Sequence, residues 1–327
     1  MNTENYIKKI FKIVNDNDFN TLALELFLYQ YKYNEIYQEY INLIKYDISK
    51  ITYYTDIPFL PIELFKTKKV ISKYSNFSKI FYSSGTTGNI KSKHYIIDEK
   101  IYQNSIINSF KLFFGNPNKY VFLCLVPSTQ EEPNSSLSYM CSELIKASTK
   151  EESGFYLNQD KSIIDTIYKC KKKNQPIILI GLSFAILDFA EKNKIDLTNE
   201  IVIETGGMKN KRQSIVRPEI HKRLKLLLNV TKIYSEYSMT ELLSQSYFCN
   251  ESHFNAPPWK KILIREKNNP LKLNLNNNRG CINIIDLANL HTCGFIATND
   301  LGVIKKDGFD VLGRAQNASE RGCNLMI

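Results

Sequence analysis

The stretch KIFYSSGTTGNIKSKHY, residues 79–95, joins a short apolar run to a loop of glycines and hydroxyl side chains. Glycines let the backbone turn several N–H groups toward one point, which forms a nest for an anion. The hydroxyl groups are further hydrogen-bond donors, and Lys91 adds positive charge. This combination suits a polyphosphate, although a flexible turn of small residues has the same composition. A P-loop of the GxxxxGK[ST] type is excluded, because position 90 is isoleucine and the spacing differs.

The composition is that of a globular protein. The chain has 327 residues, 43% hydrophobic and 12% aromatic, which is enough to bury a sizeable core. No internal repeat or linker interrupts it, so we expect one domain over 1–327. The net charge of +10 raises the question of nucleic acid. However, the lysines at 169–173 and 222–225 lie beside apolar positions at helical spacing, which indicates solvated helix faces, and we expect no nucleic-acid partner.

The N-terminus and the cysteines indicate the compartment. The opening MNTENYIKKIFKIVNDND lacks the uninterrupted apolar core of a signal peptide, and no stretch approaches the ~18 apolar residues of a membrane span. The seven cysteines are an odd number without a CxxC pair, which indicates neither a disulfide framework nor a zinc site. These features predict a soluble, cytoplasmic protein without a membrane span.

The beginning of the chain has a helical pattern. Residues 5 to about 50 carry apolar side chains at intervals of three and four, which predicts helices. Pro58 and Pro61 end this pattern, because proline lacks the N–H that a helix interior needs. We therefore expect a helical N-terminal part over about 1–55.

Strand and helix patterns alternate after that point. Short buried strands are predicted at 120–126 and 176–181, and further strands in EIVIETGG and CINIID. A helix is predicted over 214–228, with Pro218 in its first turn. Strands that alternate with helices predict an α/β domain with a largely parallel sheet.

The glycine-rich loop resembles the phosphate loop of the adenylate-forming superfamily, which includes acyl-CoA synthetases, luciferases and peptide-synthetase adenylation domains. That loop reads [ST]-[SG]-G-T-T-G-x-x-K, and the residues from Ser83 to Lys91 match it in full. The resemblance implies ATP as a cofactor, a catalytic Lys91, and the large α/β domain of that fold, with mixed and parallel sheets flanked by helices. It also implies a set of nucleotide-binding residues in the loop, namely Ser83, Ser84, Gly85, Thr86, Thr87 and Gly88.

Two further segments follow in the order of that superfamily. ETGGMK holds Gly206 and Gly207 at the end of a predicted strand, where the superfamily packs glycine against adenine; a plain strand-to-loop turn is the alternative. IYSEYSMTEL matches the Y-G-x-T-E segment. By this resemblance, Tyr237 lies against adenine, Thr240 contacts phosphate and Glu241 holds Mg²⁺. A carboxylate oxygen on a hard cation that bridges phosphates is sound chemistry.

The last superfamily segment is GFIATNDLGVIKKDGFDVLGR, which resembles T-G-D followed by D-G-[FY]-x-x-x-G-R. Asp300 then matches the acid that accepts the ribose hydroxyls, and Arg314 matches the arginine near ribose and phosphate. Ser238 and Asn299 each replace a glycine of the motifs. Without the resemblance, this segment describes β-hairpin turns, with Asp307–Gly308 as a turn pair.

The C-terminal end distinguishes branches of the superfamily. Acyl-CoA synthetases continue after the final arginine into a small lid domain with a catalytic lysine, for which the chain has no room after Arg314. DIPFLPIELFK, KSKH, ETGGMK, PPW and the final RGC resemble, in order, the acyl-protein synthetases of bacterial bioluminescence operons, the LuxE family. Members carry the activated acyl group as a thioester on a cysteine near the C-terminus. Cys323 matches it, on a tail over about 315–327 that we expect to be mobile.

The resemblance implies a reaction in two steps. ATP activates a carboxylic acid, expected to be a fatty acid, as acyl-AMP, and Cys323 takes the acyl group for delivery to a partner reductase or carrier. A thiolate is a strong nucleophile even when little of it is present at neutral pH. One alternative is a CoA ligase of the phenylacetate-CoA ligase type with a lid from another chain. The other is a degenerate nucleotide-binding scaffold, which the replaced glycines would explain.

Three residues have open roles. His94 follows the loop closely enough to reach the reacting carboxyl as a base or a hydrogen-bond donor, with a structural histidine at the start of a helix as the alternative. Lys209 is a candidate replacement for the lid lysine. Trp259 either lines an acyl channel or anchors packing.

Overall fold

A computed structural model describes residues 1–72, 76–84, 90–206, 216–249, 252–267, 269, 271–274 and 278–315. The α-helices in these ranges are Thr3–Ile10 (α1), Asp16–Tyr33 (α2), Glu35–Leu43 (α3), Leu64–Thr67 (α4), Glu99–Phe114 (α5), Ser136–Ser148 (α6), Asp160–Lys172 (α7), Ser183–Lys192 (α8) and Arg217–Leu228 (α9). Short 3₁₀ helices occupy Ile48–Lys50, Tyr54–Asp56 and Pro117–Lys119.

The first three helices confirm the helical N-terminal part. Asn2, Asn15 and Asn34 precede them, and each side chain accepts a first-turn backbone N–H that has no partner within the helix. Helix α9 is confirmed as well, with Pro218 in its first turn, where the missing N–H costs nothing.

The strands form one large sheet and one separate hairpin. They are Leu60–Pro61 (β1), Lys79–Tyr82 (β2), Lys93–Ile96 (β3), Val121–Leu125 (β4), Gly154–Phe155 (β5), Ile177–Leu182 (β6), Ile201–Thr205 (β7), Tyr234–Tyr237 (β8), Ser246–Phe248 (β9), Phe254–Asn255 (β10), Lys260–Arg265 (β11), Arg279–Asp286 (β12), Phe295–Lys305 (β13) and Gly308–Arg314 (β14). The large sheet has the order β11-β12-β13-β14-β10-β9-β8-β7-β6-β4-β5, and β1 pairs with β13. Strands β2 and β3 pair only with each other in the described ranges.

The large sheet is mixed, which confirms the mixed and parallel sheets that the resemblance implied and corrects the largely parallel sheet expected from the alternation of strands and helices. Strands β5, β4, β6, β7 and β8 run parallel, and the strands from β9 to β14 pair antiparallel. The two-residue turn between β13 and β14 requires an antiparallel pair, because a parallel pair needs a long crossover.

Two cores cover the two faces of the parallel strands. Phe122 and Ile178 belong to the core that includes α1, α2, α3, α5 and α6, whereas Leu123 and Leu179 belong to the core that includes α7, α8 and α9. This alternation follows from the two-residue period of a strand. Both faces are buried, so the strand sequences are almost continuously apolar, as the sequence predicted.

The parallel strands end at one edge of the sheet, where Gly206 follows β7 and Ser238 follows β8. Ligands of open α/β sheets bind in the crevice at this edge. The β2–β3 hairpin lies beside it and donates a 2.9 Å hydrogen bond from Tyr82 N to Asn134 O. No helix of the described ranges is long and apolar enough to cross a bilayer.

Candidate active site

The glycine-rich loop is closed at its base by two serines. Ser83 N donates to Ser92 O at 3.1 Å, and Ser92 N donates to Ser83 Oγ at 2.9 Å, directly beyond the β2–β3 ladder. The loop is therefore the connection of a β-hairpin, with Ser84 and Lys91 exposed at its two ends. The predicted phosphate-binding residues that lie outside the described ranges are Gly85, Thr86, Thr87 and Gly88.

His94 lies in β3, three residues after Lys91, and its ring is fully buried. Nδ1 lies 2.7 Å from the backbone oxygen of Thr240, and Nε2 lies 3.0 Å from Thr292 Oγ1. A carbonyl can only accept, so Nδ1 carries the proton and Nε2 accepts from the threonine hydroxyl. Burial lowers the pKa of His94 to about 4, which keeps the ring neutral near pH 7.

This geometry corrects the predicted role of His94. Both ring nitrogens bind protein groups, so the ring has no nitrogen left for the reacting carboxyl. The alternative of a histidine at a helix start is also wrong, because α5 begins only at Glu99. The histidine instead links two parts of the protein: the β2–β3 hairpin, from which the glycine-rich loop extends, and the peptide group of Thr240.

Glu241, the predicted metal ligand, lies beside the base of the loop and is 5% exposed. Burial raises the pKa of its carboxyl, while a hydrogen bond from Ser92 and the positive charges of Arg314 and Lys66 oppose that rise. The hydrogen bond from Ser92 places the carboxylate beside the base of the phosphate loop, and the charge of Arg314 acts on it from farther away. In the described part of the chain, no three His, Cys, Asp or Glu side chains form a metal-binding group.

Tyr237, Asp300 and Arg314 meet on three strands of the sheet. Tyr237 Oη donates to Asp300 Oδ2 at 2.8 Å, and Arg314 Nε lies 3.8 Å from Asp300 Oδ1. Asp300 and Arg314 are directly opposite one another on β13 and β14. The arginine side chain is 73% exposed and extends toward solvent. The predicted adenine residue Tyr237 therefore lies beside the two predicted ribose residues, of which Arg314 is the exposed one.

Gly206 lies beside this group, because β7 pairs in parallel with β8, where Thr205 is opposite Glu236. Its φ is +66°, a conformation that side chains with a Cβ rarely adopt. Ser183 Oγ lies 2.8 Å from Gly206 O and also within hydrogen-bonding distance of the Glu204 carboxylate, so its hydroxyl lies at the turn. Gly207 and Lys209 lie outside the described ranges, and their predicted roles stay predictions.

A buried carboxylate network supports the Gly206 turn, and the sequence did not reveal it. Glu204 accepts hydrogen bonds from Ser183 and Ser235, and His221 Nε2 lies 3.0 Å from Ser235 Oγ. Burial opposes ionisation of Glu204, but the hydrogen bonds and charge of its partners outweigh it and lower its pKa. These residues come from four separate elements, so no local motif joins them.

A second buried charge lies under the YSMTE segment. Lys260 is 3% exposed, and its Nζ donates to Ser244 O at 2.9 Å. Burial lowers the pKa of Lys260 to about 8, although Asp286 and Glu236 act in the opposite direction. Trp259 Nε1 donates to Ser244 Oγ at 2.9 Å, and its ring packs edge-on against Phe11, so this tryptophan anchors packing.

The structure thus brings together most of the predicted site that it describes. Thr240 and Glu241 lie against the loop base, and Tyr237 joins them to Asp300 and Arg314. Cys323 lies outside the described ranges. The sequence analysis missed three residues that contact the segment 241–244, namely Asp286, Lys260 and Asn289. A buried charge or amide has no distinct sequence pattern.

The fold is that of the adenylate-forming superfamily. A structure of 2-hydroxyisobutyryl-CoA ligase in the postadenylation state matches with a TM-score of 0.67 and 12% identity, over 91% of this chain and 67% of that one. ATP-bound MatB from Rhodopseudomonas palustris matches with a TM-score of 0.55 and 15% identity, over 73% of this chain. The match covers 48% of MatB, so the chain spans about half the length of that structure.

The chain belongs to the acyl-protein synthetase family LuxE, whose family model matches residues 13–327. A relative from Aliivibrio fischeri, named long-chain-fatty-acid–luciferin-component ligase, is 23% identical over 341 residues. That match covers 94% of this chain and 86% of the relative. Membership of the family makes the chain an enzyme of the ligase class, as the sequence predicted.

Proposed function

We propose that this protein is an ATP-dependent acyl-protein synthetase that activates a carboxylic acid as acyl-AMP and then transfers the acyl group to Cys323. The observation that carries the proposal is the contact of Tyr237 with Asp300 and of Asp300 with Arg314, together with Glu241 beside the base of the glycine-rich loop. These side chains belong to two sequence segments that are far apart, and each has the chemistry that its proposed nucleotide contact requires.

The nucleotide would lie along the carboxyl edge of the parallel strands. Gly206, at the end of the strand next to that of Tyr237, has no side chain that would block a flat base, and the Asp300 carboxylate would accept ribose hydroxyls. The Arg314 guanidinium, whose Nε lies 3.8 Å from Asp300 Oδ1 and whose charge also acts on Glu241, would face the phosphates. In the first step an acid oxygen attacks the α-phosphorus, the new O–P bond forms and pyrophosphate leaves.

Glu241 fits a magnesium ion. Its carboxylate is a hard oxygen ligand whose burial raises its pKa, so a nearby cation would relieve the cost of its charge. Mg²⁺ in phosphate sites typically takes one or two carboxylates and completes its shell with phosphate oxygens and water. Bound there, the ion would neutralise phosphate charge as pyrophosphate leaves.

The cysteines support Cys323 as the acyl acceptor. The described cysteines are buried or half-buried, and burial raises the pKa of Cys124, Cys170, Cys249 and Cys293. Cys323 follows Arg314 by nine positions, so it can reach any point within about 30 Å of that residue.

The second step is an acyl transfer from phosphate oxygen to sulfur, which forms a thioester. The Cys323 thiolate attacks the acyl carbonyl, the carbon–sulfur bond forms, the bond from that carbon to the phosphate oxygen breaks, and AMP leaves. The thiol proton goes to solvent. The name of the Aliivibrio fischeri relative supports a long-chain fatty acid as the substrate, and a partner reductase or carrier would then receive the acyl group.

The test is mass spectrometry after incubation with ATP, Mg²⁺ and mixed fatty acids, paired with ATP–pyrophosphate exchange. We expect one acyl group on Cys323 of the wild type. Cys323→Ser should lose the label and retain exchange, and the control Cys249→Ser should retain both. An acyl group that persists in Cys323→Ser contradicts the proposed acceptor. Acyl-CoA formation without acyl-protein would favour a CoA ligase, and the absence of exchange would favour a scaffold.

A further inference from the structure

The connection between β12 and β13, here called the bracket loop (residues 287–294), is tied to the N-terminal helices. Tyr6 Oη donates to Leu287 O at 3.1 Å, and Asn34 Nδ2 donates to Thr292 O at 2.7 Å. Gln30 Nε2 donates to the carbonyls of both Asn289 and Leu290, at 2.6 and 3.1 Å. Side chains of α1 and α2, and the cap of α3, thus hold this loop from one side.

The other side of the bracket loop contacts the segment 240–244. Asn289 Nδ2 donates to Glu241 O at 2.8 Å. The Thr292 hydroxyl donates to His94, whose other ring nitrogen donates to Thr240 O. These contacts fix two successive carbonyls, and both Asn289 and His94 are fully buried.

Asp286, the last residue of β12, accepts hydrogen bonds from backbone N–H groups of the same segment, 240–244. Its Oδ2 accepts from Leu243 N at 2.9 Å and from Ser244 N at 3.0 Å. Burial raises the pKa of Asp286, while the neighbouring Lys260 ammonium and these hydrogen bonds favour its ionised form. Segment 240–244 is outside helices and strands, so these side chains supply the hydrogen bonds that a regular element would provide.

We propose that Asn289, and Thr292 acting through His94, are positioning residues that orient the Glu241 carboxylate toward the metal–nucleotide complex. The inference rests on the proposed function. Fixing the carbonyls of Thr240 and Glu241 fixes the peptide planes on either side of residue 241, and with them the direction of its Cα–Cβ bond. Groups that orient a metal ligand through hydrogen bonds typically change metal affinity by about 10–100-fold when they are removed.

The same hydrogen bonds also contribute to folding, so the test needs a measurement that stability alone does not change. Asn289→Ala removes the donor to Glu241 O. Thr292→Val removes the hydroxyl that binds His94 and keeps the shape of the side chain. Asn193→Ala is the matched control, because Asn193 Nδ2 also donates to a carbonyl, that of Phe189, but at the end of α8.

The measurement is the affinity for Mn²⁺ in the presence of ATP, followed by electron paramagnetic resonance, together with the melting temperature. Asn289→Ala and Thr292→Val should weaken Mn²⁺ binding about tenfold or more. In ATP–pyrophosphate exchange, both should lower kcat and raise the Mg²⁺ concentration for half-maximal rate, with the KM for the acid within about twofold of wild type. Asn193→Ala should lower the melting temperature by a similar amount without changing Mn²⁺ affinity.

The outcomes separate the inference from the function on which it rests. If the wild type exchanges pyrophosphate and binds Mn²⁺ with ATP, but folded Asn289→Ala or Thr292→Val binds it as tightly, the positioning role is wrong. Should one of the two variants not fold, the other decides the question alone. If the wild type itself neither exchanges nor binds, the proposed function fails and the positioning role fails with it.

Discussion

The hydroxyl of Tyr237 donates a 2.8 Å hydrogen bond to Asp300 Oδ2, and this bond joins the parallel half of the sheet to the antiparallel half. It holds the Asp300 carboxylate at the place where ribose hydroxyls are proposed to bind. Burial and the adjacent carboxylate together raise the pKa of Tyr237 well above its usual value, so the hydroxyl remains a donor throughout the physiological range.

Tyr237→Phe should weaken ATP binding several-fold, because the Asp300 carboxylate then loses the donor that orients it. The free energy of unfolding should fall by about 1 kcal/mol. The control is Tyr247→Phe, since the buried Tyr247 hydroxyl has no hydrogen-bond partner among the described residues. Calorimetric titration with ATP measures the effect. Equal ATP affinity in the two variants would show that the Tyr237–Asp300 bond is not part of nucleotide binding.

Gly206→Ala should reduce ATP affinity by more than its cost in stability explains. The φ of +66° strains any residue with a Cβ, by about 1 kcal/mol, and the added methyl group lies where the base is proposed to pack. The matched control is Gly115, at the end of α5. Its φ is +81°, and an added Cβ there would have no heavy atom within 4 Å. Gly115→Ala should be destabilised similarly and bind ATP normally; parallel losses in both would contradict the adenine assignment.

Lys260 should make the free energy of unfolding rise with pH above about 8. Its pKa is about 8 in the folded protein and 10.5 in the unfolded chain, so between these values the unfolded chain binds more protons. Between pH 8 and 9.5 the group should add about 1.5 kcal/mol. Urea titrations compare the wild type with Lys260→Met, which should lack this rise.

The neighbouring Lys261→Met is the control for that experiment. Lys261 pairs with Asp16 at 2.6 Å on a partly exposed part of the surface, and its removal leaves Lys260 in place. This variant should therefore retain the rise in unfolding free energy above pH 8. A rise that disappears in both variants, or in neither, would contradict the burial of a titrating ammonium at position 260.

His94 should make the protein sensitive to acid. Its pKa is lowered from 6.5 to about 4, so the unfolded chain binds more protons between these values and the free energy of unfolding falls as pH decreases from 6.5 toward 4. His94→Gln should be less stable at pH 7, because Thr240 O and the Thr292 hydroxyl lose well-placed partners, yet its stability should change less with pH. Unfolding at pH 5 and 7 by circular dichroism measures both; an unchanged pH dependence would mean that His94 is not buried and neutral.

Candidate site residues could be named from the sequence wherever short motifs match a known superfamily. Ser83 to Lys91, the YSMTE segment and the final DGFDVLGR have such matches, so they are recognisable without a structure. The helices of the N-terminal part and the buried parallel strands were also predictable. Apolar residues recur every three or four positions in the helices, and they form short continuous runs in the strands. The order of the antiparallel strands after β8 was not predictable, since β10 pairs with β14, which is more than 50 positions away in the sequence.

The supporting residues were not predictable for a physical reason. Lys260 and Asp286 have the composition of surface positions, and only the pairing of β11 with β12, which sets them opposite one another, buries both charges. His94 was placed near the reacting carboxyl because proximity in sequence suggested it. The strand turns that side chain into the core, where its two nitrogens bind Thr240 and Thr292.

The attachment of the bracket loop to the first helices has a consequence for biosynthesis. Tyr6 and Leu287 are bonded across 281 positions of the chain, and Gln30 and Asn289 across 259. Contacts of such long range form late in folding, because the entropy of closing the intervening loop opposes them. The N-terminal helices leave the ribosome first but gain these partners only when synthesis is nearly finished. Nascent chains should therefore remain inactive, and exposed to chaperones, until almost the whole protein has been made.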